Sequence, residues 1–108
     1  MRYHTYTDNA GWVRRVLLRD GDPAAAAGKI GIPADPPDLA GLGEISGLTE
    51  QARRDLHNAL AERGLYTWQD VVARGNAITT AVAALARQHQ LDAPALKRAV
   101  VRLYRSRR

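Results

Sequence analysis

A chain of 108 residues without cysteine can bury one aliphatic core, and it excludes disulfides, thiolate zinc sites and cysteine nucleophiles. It has no Phe, only two Trp and four Tyr, and no run of 18 apolar residues, so a transmembrane helix is not expected. The net charge of +5 is uneven: residues 1–20 sum to +2, residues 21–85 to −3 and residues 86–108 to +6. Positive charge gathered at one end points to a polyanionic or acidic partner.

In chain order, TDNAGWVRRVLLRDG reads as a first helix. Thr7 or Asp8 caps it, Gly21 stops it, and Trp12, Val13, Val16 and Leu17 share a face. DPAAAAGK reads as a short second helix with Asp22 at the N-cap and Pro23 at the first position. A Pro/Gly-rich connector follows at about 31–47, pinned by Ile32, Leu39, Leu42 and Ile45.

The next helix, TEQARRDLHNALAERG, is capped by Thr49, buries Ala52, Leu56, Ala59 and Leu60, and ends at Gly64. YTWQDVVARG carries Thr67 and Asp70 at capping-box spacing, with Tyr66 and Val71 placed to staple. NAITTAVAALARQHQ reads as a helix capped by Asn76, with Ile78, Ala81, Val82 and Leu85 on the core side. DAPALKRAVVRLYRSRR closes the series, capped by Asp92, with Pro94 tolerated in the first turn. The expected fold is all-α: a single compact domain of five or six short helices, with N-terminal helices at 1–30, the connector at 31–47 and a helical core at 48–108.

Ala27, Ile30, Gly31 and Ile32 have the spacing of a helix-turn-helix turn. The segment after them, PADPPDLAGLGE, is acidic and proline-rich and carries no base, so it makes a poor recognition helix. The half motif reads as scaffold.

The last helix separates into two faces at about 100° per residue. Leu96, Ala99, Val100, Leu103 and Tyr104 fall on one side. Lys97, Arg98, Arg102, Arg105 and Arg108 fall within about 140° of arc on the other. Arginine's planar fork pairs with phosphate or carboxylate, so this face suits nucleic acid or an acidic protein surface. The candidate binding set is Lys97, Arg98, Arg102, Arg105, Arg107 and Arg108, joined by Arg14, Arg15 and Arg19 if the first helix packs nearby. Basic residues in a final helical turn also suit the helix dipole and can simply be solvated. Tyr3, Tyr6 and Trp12 can stack on bases, line an interface or clip the N-terminus onto the domain.

The stretch LTEQARRDLHNALAERGLYTWQDVVAR, residues 48–74, resembles part of the C-terminal domain of the RNA polymerase α chain and related helix-hairpin-helix proteins. The matching residues are Leu56, Asn58, Leu60, Gly64, Leu65, Thr67, Asp70, Val71 and Val72. The resemblance covers about a quarter of the chain and implies a compact helical subfold. Members of that family bind the DNA minor groove or backbone and contact activators. The glycine hairpin through which they hold DNA has no match after Gly75, where NAITTAV follows.

Catalysis is not expected. His4, His57 and His89 lack ligand spacing, no phosphate loop is present, and Ser46 and Ser106 are the only serines. No metal or cofactor is expected. The expected role is a small non-catalytic nucleic-acid-associated protein, DNA ahead of RNA. The alternative is a protein-protein interaction adaptor, or a small component docking an acidic surface of a larger complex. Self-association through the acidic middle segment stays open. No membrane role is expected, and the location expected is cytoplasmic.

Overall fold

A computed structural model describes residues 2–18, 32–43 and 45–107. The chain forms two compact units, residues 1–35 and 36–108.

The first unit corrects the all-α expectation. Its described residues form strands β1 (Arg2–Thr7), β2 (Val13–Leu18) and the two-residue β3 (Ile32–Pro33), in an antiparallel sheet of order β1-β2-β3. The register runs from Arg2 opposite Leu18 to Thr7 opposite Val13, and Val16 lies opposite Pro33. The segment expected as the first helix is therefore a hairpin turn and a strand. Two local causes decide this. Gly11 takes φ 88°, a left-handed conformation that no right-handed helix accommodates. Asp8 also organises a reversal: its carboxylate accepts from the N–H groups of Ala10 (2.9 Å) and Trp12 (3.0 Å). The backbone N–H of Asp8 donates to the Trp12 carbonyl at 3.0 Å. Thr, Tyr and Val supply the β-propensity on both sides of that turn. Alternation then buries Val16 and Leu18 on one sheet face, with Tyr6 packed against them.

The expected Asp22 helix and most of the half helix-turn-helix, including Ala27, Ile30 and Gly31, lie outside the described residues. Ile32 belongs to β3. The connector also contains a 3-10 turn, Leu39–Leu42, which its proline and glycine content does not announce. The Asp38 carboxylate accepts from the Ala40 N–H at its start.

The second unit holds four helices: α1 (Glu50–Glu62), α2 (Trp68–Ala73), α3 (Ala77–His89) and α4 (Ala93–Ser106). Thr49 caps α1 by accepting from Ala52 N–H at 3.1 Å. The Thr67–Asp70 capping box on α2 is complete, and Tyr66 and Val71 are both buried. Asn76 occupies the N-cap of α3, but its side chain makes no capping bond, contrary to expectation. Gly64 leaves α1 at φ 71°, and a Cβ there would stand 3.0 Å from the Arg74 guanidinium. That position therefore needs glycine for its backbone angle and for the room it gives Arg74.

The helices share one core built on Leu56, Leu60, Leu65, Val82, Leu96 and Val100. α1 packs on α3 and α3 on α4, with Ala52, Ala81 and Ala99 buried. α4 also meets the 3-10 turn and α2. His89 Nε2 lies 3.0 Å from Asp55 Oδ2, joining α3 to α1. The chain is a mixed α/β protein: its described residues hold a small antiparallel sheet and four helices, where an all-α domain of five or six was expected.

Candidate nucleic-acid interface

The site is built on α4. Asp92 caps it by accepting from Ala95 N–H at 3.2 Å, and Pro94 sits in the first turn, where a missing N–H costs no helical bond. Leu96, Ala99, Val100 and Tyr104 are buried, which fixes the rotation of the helix. The Tyr104 hydroxyl donates to the carbonyl of Leu65, between α1 and α2. Burial pushes the Tyr104 phenol well above its usual range, since the protein interior disfavours a phenolate.

With that face inward, Lys97, Arg98, Arg102, Arg105 and Arg107 are exposed. Arg108 lies outside the described residues. Val101, half-buried, sits among the cations in the helical projection. The Arg105 guanidinium lies over the ring of Trp68, 5.2 Å from its centroid, where α2 meets α4. Sequence pattern does not mark Trp68 as a site residue. The visible signal there is the capping box around it, which speaks of helix initiation and not of a neighbour 37 positions away.

The two described candidate cations of the first unit have local partners as well. Arg14 and Arg15 sit on β2 in the first unit, not on a helix. Arg14 Nε donates to Asp8 Oδ2 at 3.1 Å, and its guanidinium lies 5.3 Å from the Trp12 ring. Arg15 Nε donates to the Ala34 carbonyl at 3.0 Å, and its guanidinium lies 3.8 Å from the Tyr3 ring. Both side chains work inside the hairpin unit. Arg19 lies outside the described residues.

The three histidines lie apart in function. His4 stacks with Tyr6 in β1, His57 is buried in α1, and His89 meets Asp55. Among the described residues, no group of three His, Cys, Asp or Glu side chains could hold a metal ion. An apolar cleft of about 310 Å³ opens between α3 and α4, lined by Thr79, Val82, Ala83, Ala93, Pro94 and Lys97. It brings no acid–base pair together.

Among the described residues, no helix is long and apolar enough to cross a membrane. No family model matches the chain, and no curated protein or solved structure matches it.

Proposed function

We propose that the protein is a small, non-catalytic nucleic-acid-associated protein that holds a phosphate backbone with the outer face of α4. The observation that carries this reading is the sharp division of that helix, with Leu96, Val100 and Tyr104 buried and Lys97, Arg98, Arg102, Arg105 and Arg107 exposed. A row of cations on one helix face neutralises successive phosphates and releases their counterions, which supplies affinity without base readout. The outward face carries no Asn or Gln of the kind that reads adenine edges. The resemblance of residues 48–74 to the C-terminal domain of the RNA polymerase α chain speaks only for a compact helical subfold, since the glycine hairpin by which that family holds DNA has no match here. We place the protein in the cytoplasm, on its lack of cysteine.

The test is fluorescence anisotropy with labelled oligonucleotides across about 50–300 mM salt. Five phosphate contacts give a log–log slope of about −4 to −5. Replacing Arg98, Arg102 and Arg105 with Gln removes about 3 units of that slope. Absence of binding at low salt overturns the reading. The same guanidinium forks fit carboxylates, so an acidic protein surface is then the partner to seek.

A further inference from the structure

The cationic face does not consist of charge alone. Arg105 closes one end of it, its guanidinium over the ring of Trp68 from the neighbouring helix α2, 5.2 Å from the centroid. Trp68 is half-buried against the core and Arg105 is exposed, so the guanidinium rests on a ring that is itself held in place. One turn further along α2, on the same side as Trp68, Val72 is 65% exposed. A planar cation over an indole, an exposed apolar side chain on the adjoining helix and a row of cations leading to both make a particular combination. Phosphate contact needs only the cations. A guanidinium and an indole side by side next to them suit the face of an unpaired base.

Resting on the phosphate-binding reading above, we propose that the Trp68–Arg105 pair is a base platform, and that the partner is a single-stranded nucleic acid. Its backbone runs along Arg98 and Arg102, and one base lies on the Arg105–Trp68 pair. Bases in a duplex are already paired and stacked, and exposing one costs a few kcal/mol of unstacking. A single strand offers the same face without that cost. The start of α2, which carries Trp68, is fixed by the capping box: Asp70 Oδ2 accepts from the N–H groups of Tyr66 (3.0 Å) and Thr67 (2.9 Å) just before it.

Trp12→Phe leaves Trp68 as the sole tryptophan and supplies the reporter. The probes are an oligothymidylate, an oligouridylate and a mixed-sequence DNA duplex, each of about 12 nucleotides or base pairs. The expected result is quenching of Trp68 emission by a single strand and binding about tenfold tighter than to the duplex; the DNA and RNA arms show which strand is preferred. Arg105→Lys keeps the charge and removes the planar guanidinium. It should leave the salt slope intact and weaken single-strand binding on the order of 10-fold, with duplex binding unchanged. Trp68→Leu should do the same, with a thermal melt to confirm that the helices persist. Equal binding to duplex and single strand with unchanged Trp68 emission overturns the platform and leaves the phosphate contact standing. Binding to polyglutamate but to neither nucleic acid overturns both.

Discussion

The two units set arginine in different surroundings. In the hairpin, Arg14 and Arg15 are drawn into local contacts with Asp8, Ala34, Trp12 and Tyr3. In the helical unit, α4 buries an aliphatic face and leaves its cations at the surface. Around the small core of Val16 and Leu18, arginine fastens the hairpin. On α4, where Leu, Val and Ala fill the interior, Arg98, Arg102 and Arg105 stand exposed, the last of them over the Trp68 ring. Counting positive charge along the sequence cannot tell these settings apart.

Substitutions break that contrast in order of size. Leu96→Ala should destabilise the helical unit by about 2–4 kcal/mol, because the site is fully buried and enclosed by helices. Urea denaturation followed by circular dichroism reads it, and a change below about 1 kcal/mol would mean that the inner face of α4 is not core.

Tyr104→Phe should cost about 1–2 kcal/mol, leaving the Leu65 carbonyl without its hydroxyl donor. The tyrosine also gives the helical unit a pH limit. Its folded-state pKa is raised, so its contribution is complete below the unfolded value of about 10 and is lost as pH rises above it. Denaturation at alkaline pH should show that decline in the wild type, and a smaller one in the Phe variant.

The hairpin responds at the other end of the scale. The Trp12 N–H, with help from Arg14 and Ala10, holds the Asp8 carboxyl below its usual value of 3.8. Its support for the turn is therefore present above that value and is lost as pH falls through the lowered one. Asp8→Ala should weaken the turn by about 1 kcal/mol at neutral pH, as loss of a capping carboxylate does. In NMR spectra it should also erase the acid dependence of the amide shifts of Ala10 and Trp12, whose N–H groups donate to that carboxylate. Smallest of all, the Arg98, Arg102 and Arg105 triple change to Gln should move stability by less than about 0.5 kcal/mol, since exposed charges contribute little. A larger loss in a thermal melt would make those arginines fasteners too.

The helices of residues 49–106 are legible in the sequence because their signals agree: Thr49, Thr67 and Asp92 are caps, Gly64 is a stop, and the apolar spacing is helical. The hairpin is not. Trp12, Val13, Val16 and Leu17 lie one, four and five positions apart, which suits a helix face, while the run Val16-Leu17-Leu18 hides strand alternation. The decisive signal is Asp8-Asn9-Ala10-Gly11 between two segments rich in Tyr, Thr and Val, a turn closed by a left-handed glycine. The inward and outward residues of α4 follow from periodicity alone. The Trp68–Arg105 contact does not, because it depends on how α2 packs against α4.

The bond from Tyr104 to Leu65 spans 39 positions of sequence and ties the last turns of α4 to the α1–α2 junction. Amide protons in those turns should therefore exchange with solvent only when the helical unit opens as a whole, and more slowly than those at frayed helix ends. The cations sit on a segment that is already ordered before any partner arrives. Association then immobilises side chains and leaves the backbone as it was, so the entropic cost of docking falls mainly on the arginine rotamers.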